Sequence, residues 1–325
     1  MFKSFRRSAL TAIVIGSFAD PLHAHMYTQF PAYERGGAPE QNQYEAIYQD
    51  GAWAHVFMSI GHACGHTGVQ GPNPRTMQVA VVIPGNNTEA QVIDYPLLNG
   101  DYSFSSLKTQ YKVIGPASPD AQGYDWGISV AQSEAIPALT RTYTFYAEKS
   151  PVYEKAPRAA VWAGEGVPNY NEAQIALWLQ LPEIPQESCV TDVQYFFAAA
   201  QFCAKSKIKG ALPGQAWLLG ATTNWSEEYL GGAPDQWSPY IRMKRDVKAK
   251  PLPLSCGGKG QVISVYPSST DIDSYLKPVS ENKDGSARQM SVQEWFNKNL
   301  ATQGTADSHG CIAPQHWDPS MKMCM

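Results

Sequence analysis

The eight residues from Gln174 to Leu181 (QIALWLQL) alternate without a break, Ile175, Leu177, Leu179 and Leu181 to one side, Trp178 and Gln180 to the other. Period two cannot lay an apolar stripe along a helix. In a strand it makes one face to bury and one to leave outside. The same pattern recurs in Thr140 to Glu148 (TRTYTFYAE), which puts Tyr143 and Phe145 on one face. Arg75 to Pro84 (RTMQVAVVIP) is a β-branched, apolar run that a proline ends. Between such runs Pro and Gly are dense (Gly71-Pro72, Pro84-Gly85, Pro116, Pro119, Gly164, Gly166, Pro168), and each punctuates the chain with a turn. Many short strands separated by turns predict an all-β sandwich rather than a doubly wound sheet.

Two segments need separate treatment. Val193 to Lys205 (VQYFFAAAQFCAK) fits a buried helix or an apolar strand. Ser291 to Leu300 (SVQEWFNKNL) predicts a short helix, with Ser291 as its cap and Glu294 completing a capping box. Gly257-Gly258-Lys259-Gly260 lacks phosphate-loop spacing and is expected as a turn. A boundary is expected near Gly231 to Pro239, followed by a basic stretch (Arg242 to Lys250), Pro251-Leu-Pro-Leu254 and three cysteines. The expected organisation is a leader over 1–24, a sandwich domain over 25–230 and a disulfide-stapled mixed extension over 231–325.

The first 24 residues have a basic start (Lys3, Arg6, Arg7), an apolar stretch from Ala9 to Phe18 and an ending in Leu22-His23-Ala24. That is the layout of a secretory signal peptide, too short in its apolar part to span a bilayer. Its removal would leave 22 Lys and Arg against 28 Asp and Glu, a shift in net charge from −4 to about −6. A mildly acidic chain is a poor partner for nucleic acid. The expected location is periplasmic, cell-surface or secreted, with room for peripheral association with an outer membrane. The six cysteines, Cys64, Cys189, Cys203, Cys256, Cys311 and Cys324, form no C-x-x-C pair. In an exported chain an even number favours disulfides over thiolate metal sites, with about fifteen full pairings open.

Cleavage after Ala24 would make His25 the first residue, carrying a free amine and an imidazole together. Both nitrogens suit copper, which heads the divalent affinity order. Of the six histidines beyond the leader, four (His25, His55, His62, His66) fall between residues 25 and 66, the others being His309 and His316. In Gly51 to Gly68 (GAWAHVFMSIGHACGHTG), a strand would put Trp53, His55 and Phe57 on one face, and His62 and His66 flank Cys64. His309-Gly-Cys311 with His316-Trp317 is a weaker candidate patch, for which a disulfide loop is the ordinary reading.

In this arrangement the chain resembles the YcnI-type copper-binding domains of exported bacterial proteins. Those begin with His followed shortly by Pro, here His25 and Pro31, and carry Gly-x-Trp running into a V-P-H-G-C-like stretch, here Gly51-Ala52-Trp53 and Ile60-Gly-His62-Ala-Cys64. A T-x-x-V-x-V-x-I-P strand follows (Thr76 to Pro84), then a leucine-rich strand ending in Leu181-Pro182, then Tyr195-Phe196-Phe197, Gln201-Phe-Cys203 and Trp217. The order is collinear from His25 to about Trp217. The I-G-H-x-C element is also similar to that of methanotroph copper-repressible surface proteins of the MopE/CorA type. The resemblance implies a cupredoxin-like or immunoglobulin-like sandwich, copper held by the amine and imidazole of His25, a nearby Trp (Trp53 or Trp217) and a Cys64–Cys203 bridge. It departs from the family at Ala54, where some members have Glu. His55 could replace that carboxylate only through a backbone bulge.

The expected role is copper capture, storage or delivery, without catalysis. The alternatives are a histidine-brace copper monooxygenase acting on polysaccharide, whose second His would come from His55, His62 or His66, and a non-metal surface module using the chain's nine Trp and seventeen Tyr.

Overall fold

The alternation of Gln174 to Leu181 is built as strand β10, Ala173–Gln180, whose residues are buried and open in turn. It belongs to the described residues of the computed structural model: 26–29, 46–60, 64, 74–85, 88–94, 112–116, 126–128, 130–133, 136–146, 157–168, 173–206, 212–218, 222–225, 239–299, 317–318 and 323–324.

Three sheets make an all-β sandwich. The first contains β1 (Met26–Gln29), β3 (Trp53–Ile60), β10 and β7 (Val130–Ser133), in that order. The second runs β2 (Ala46–Gln49), β14 (Tyr240–Lys244), β11 (Val190–Phe196), β15 (Gln261–Pro267), β5 (Thr88–Asp94) and β6 (Lys112–Pro116). The third runs β13 (Gly214–Trp217), β12 (Ala198–Cys203), β4 (Thr76–Val82), β9 (Pro157–Val167) and β8 (Arg141–Tyr146). Small two-stranded pairs are β16 (Val279–Glu281) with β17 (Ala287–Gln289), and β18 (Trp317–Asp318) with β19 (Met323–Cys324).

All three sheets send side chains into one core. Val56, Met58, Ile175 and Leu177 come from the first, Val193, Tyr195, Ile241 and Val265 from the second, and Val79, Val81, Trp162 and Trp217 from the third. Trp162 is fully buried, and its indole N–H donates to Ser133 Oγ at 2.8 Å, which ties the third sheet to the first. A buried indole without such a partner would leave its donor unsatisfied. The other face of the third sheet has a second core. There Val82, Val161, Ala200 and Phe202 meet Ile272, Leu276, Trp295 and Phe296 of two short helices, α1 (Ser269–Tyr275) and α2 (Val292–Asn299), and their flanks. Tyr143 and Phe145 pack against this core from one face of β8, as their alternation requires.

Val193 to Lys205 is strand, but two strands rather than one. It breaks at Phe197, so β11 lies in the second sheet and β12 in the third. The stretch beyond 231 does more than extend the sandwich. Its β14 and β15 flank β11 in the second sheet, and Ile241, Met243, Ile263 and Val265 are in the main core. The basic stretch turns inward. Arg242 Nε donates to buried Asp192 at 3.1 Å, and Arg245 donates to the carbonyls of Pro185, Gln186, Ser188, Lys250 and Pro251. Lys250 Nζ donates to Asp50 at 2.8 Å and Glu183 at 3.3 Å; the Asp50 bond leads in raising its pKa above the usual lysine value. Ser291 caps α2, accepting from the Glu294 N–H at 3.0 Å, while the Glu294 carboxylate accepts from Arg288 at 3.3 Å. Gly257 and Gly258 take positive φ at the expected turn.

Candidate functional site

Strand β3 carries the centre of the candidate site. Ala54, Val56 and Met58 are fully buried in the core, so Trp53, His55 and Phe57 face outward. Its pairing with β10 runs unbroken from Trp53↔Gln180 to Ile60↔Ala173. No bulge therefore brings His55 round to the side of Ala54, and His55 does not replace the missing carboxylate. Ala54 itself points into the core.

At its far end β3 pairs with β1, Met26 opposite Ile60 and Gln29 opposite Phe57. Four residues past Ile60, Cys64 is bonded to Cys203 of β12, with a Cα–Cα separation of 5.7 Å. This is the pairing that the resemblance implies. A second bridge joins Cys189 to Cys256. Cys64 is the non-glycine residue with positive φ (42°) among the described residues, a conformation that needs outside support. The bridge supplies that support, and so does a buried polar cluster. The Thr76 hydroxyl lies 3.1 Å from Cys64 Sγ and 3.3 Å from Gln201 Oε1, and Gln201 Nε2 donates to Gln215 Oε1 at 3.2 Å. The Cys64 N–H points at Gln201 Oε1 across a long 3.5 Å. The Gln201-Phe-Cys203 match named Gln201 but gave it no role. A lone amide in the apolar run Ala198 to Cys203 was its one signal, because a buried amide needs partners.

His25, His62 and His66 lie outside the described residues, as do His309 and His316. His55 is described, and it is set apart. It lies five residues from Ile60, about 16 Å along an extended strand. It is 7% exposed, and its ring stacks on Trp178 of β10 at 3.6 Å with 5° between the planes. Phe57 closes on the same ring at 5.3 Å, and the Tyr48 hydroxyl donates to the His55 carbonyl. Among the described residues no three His, Cys, Asp or Glu side chains gather as a metal would require.

The two candidate tryptophans have opposite environments. Trp53 is 53% exposed, whereas Trp217 is 2% exposed, inside the main core, with its indole N–H unpartnered. Trp217 pairs with Ala199, four residues from Cys203 along β12, or about 13 Å. Neither residue adjoins the bridge along its strand. On the opposite side of the third sheet is a cleft of about 380 Å³ lined by Gln78, Arg141, Tyr143, Glu165, Glu281 and Trp295 among others. Three of its polar groups are already engaged. Gln78 holds the backbone of Val279 at both ends of its amide, and Arg141 pairs with Glu281.

No family model matches the chain, and no curated protein matches it. No helix among the described residues is long and apolar enough to cross a membrane.

Proposed function

We propose that this is an exported copper-binding protein that captures, stores or delivers the ion, holding it through the amine and imidazole of His25 with His62 as the nearest second imidazole. One observation carries the reading: Met26 stands opposite Ile60, and the chain after Ile60 is tied down at Cys64. Residue 25 is one Cα step from Met26, about 3.8 Å, and residue 62 is two steps from Ile60. Covalent geometry alone keeps both near the same end of the first sheet. His66, two residues past Cys64, is in reach of that end as well. His55, about 16 Å back along β3, is too far to share one ion with His25.

An amine and two imidazoles form a nitrogen donor set of the kind Cu(II) favours. They must be deprotonated to bind, so affinity falls as acid protonates them. The role is binding rather than catalysis, so reductant-dependent oxidation of chitin or cellulose is expected to be absent. The two disulfides fit an oxidising location outside the cytoplasm.

The test is Cu(II) titration of the processed protein with EPR detection, beside N-terminal sequencing. One extra residue ahead of His25, and separately His62→Ala, should each weaken binding at least about tenfold, or about 1.4 kcal/mol. His55→Ala should leave it unchanged. Undiminished affinity in the extended variant would overturn the proposal.

A further inference from the structure

Four large apolar side chains are exposed among the described residues: Trp53, Trp178, Val247 and Leu254. The last two lie outside the sheets, beyond β14. The two tryptophans lie on one face of adjacent strands. Trp178 is opposite His55 and Trp53 is opposite Gln180, which makes the indoles diagonal neighbours at about 7–8 Å between backbones. The His55 ring lies flat behind Trp178 at 3.6 Å and is itself buried, so the indole has a fixed floor. That stack uses one face of Trp178, which remains 38% exposed.

The surroundings narrow the ligand. Strands β3, β7 and β10 contain no Asp, Glu, Lys or Arg, in a chain whose net charge is −4. Exposed amides stand among the rings, Gln132 directly opposite Trp178 on β7 and Gln174 further along β10. Nucleic acid and anionic membrane would both require cations here. A protein interface of ordinary size would require a continuous apolar patch, whereas these indoles are interrupted by amides. Flat aromatic faces alternating with neutral donors and acceptors match a sugar polymer, whose rings offer C–H faces and equatorial hydroxyls.

We propose that the outward face of the first sheet binds a neutral polysaccharide. Pyranose rings stack on Trp178 and Trp53, and their hydroxyls bond to Gln132 and Gln174. This does not rest on the copper reading, because Trp53, Trp178 and Gln132 lie toward the opposite end of β3 from Ile60; Gln174, opposite Ser59, is the one contact near that end.

The experiment is depletion of the full chain from solution by microcrystalline cellulose and by chitin, with polygalacturonate as a charged control. Tryptophan fluorescence during titration with the soluble hexasaccharides gives affinities. Retention is expected on at least one neutral polymer. Trp53→Ala and Trp178→Ala should each weaken it up to about tenfold, the scale of one aromatic contact, and the double variant should fall to background. Trp178→Phe should keep most of the binding, which separates a lost stacking face from a lost fold. Gln132→Ala should cost a few-fold. Cu(II) affinity measured on Trp53→Ala should not change, so failure here and failure of the copper reading are distinguishable. Three results would overturn the proposal: no retention on either neutral polymer, retention only on the anionic one, or retention indifferent to both tryptophans. A concentration-dependent dimer that Trp53→Ala dissolves, without retention on either polymer, would likewise overturn it and assign the face to a second copy of the chain.

Discussion

The two ends of β3 are held in different ways. Near Trp53 the strand has an outward surface fixed by sheet pairing and by one ring stack, His55 on Trp178. Four residues past Ile60 the chain is caught at Cys64 by a covalent bond and a buried cluster of Thr76, Gln201 and Gln215. The difference follows from what supports each end. A strand's backbone hydrogen bonds hold its outer face at no further cost, whereas a segment leaving the sheet must find its own partners. A flat surface can therefore be built from the sheet alone, while a loop that places side chains precisely needs an anchor from another layer.

Removing that anchor should have the largest effect. In Cys64→Ala/Cys203→Ala the unfolded chain loses a closure between residues 139 apart, which costs about 4–5 kcal/mol on the chain-entropy scale. Denaturant titration should show that loss, and Cu(II) affinity should fall with it at a temperature where the variant is folded. Retention on polysaccharide should survive at the same temperature, because the other end of β3 does not use the bridge. Joint loss of both activities would mean that the two ends are one unit.

Next in size is Gln201→Ala. Gln201 is fully buried, and its amide is shared between Thr76 and Gln215. Removing it leaves buried polar groups unsatisfied, at about 1–3 kcal/mol. The same Ala substitution at the exposed Gln132 should leave unfolding free energy within about 0.5 kcal/mol. Equal costs at the two amides would erase the distinction between anchored loop and open face.

Smaller again is the ring stack. A double-mutant cycle of His55→Ala with Trp178→Ala should give a coupling of about 0.5–1.5 kcal/mol in unfolding free energy. Cu(II) affinity should be the same in all four corners of the cycle. Coupling near zero would make the His55 floor an incidental contact.

Much of the architecture was legible because a strand's pattern is local. The alternation of β10, the shared face of Tyr143 and Phe145 and the cap at Ser291 each need only a few consecutive residues. The break at Phe197 was not legible. Either side of it the residues are equally apolar, because both β11 and β12 are buried on both faces, and buried strands lose their alternation. The inward role of the basic stretch was not legible for another reason. Charge read along the chain shows no partners, and only the fold supplies Asp192, Asp50 and the loop carbonyls that bind Arg242, Lys250 and Arg245. The histidine cluster shows the limit most plainly. Nearness in sequence becomes distance in a strand at about 3.3 Å per residue, so His55 falls away from the end that the resemblance marked.

The smallest effect concerns a third kind of anchor, neither sheet nor bridge. The loop at 222–225 is tied to α1 by one carboxylate: Asp273 accepts from the Thr222 hydroxyl at 2.6 Å, from the Thr223 N–H and hydroxyl at 2.9 and 2.8 Å, and from the Asn224 N–H at 3.2 Å. Partial burial works to raise the Asp273 pKa, but these bonds together outweigh it and hold the group below its ordinary 3.8. A lowered folded-state pKa adds stability that is fully present above the unfolded value and disappears as pH falls through the folded one. The difference in unfolding free energy between the parent chain and Asp273→Asn should therefore be flat from neutral pH down to about 5, and shrink below 3.8. Because the group is partly exposed, the plateau should be modest. The same acid titration leaves a disulfide untouched, so Cys64→Ala/Cys203→Ala should keep its full deficit across that range. If the Asp273→Asn difference stayed constant to pH 2, the loop would be held by packing of Trp225 in the second core rather than by the carboxylate, and anchoring by a single charged group would have to be given up for this segment.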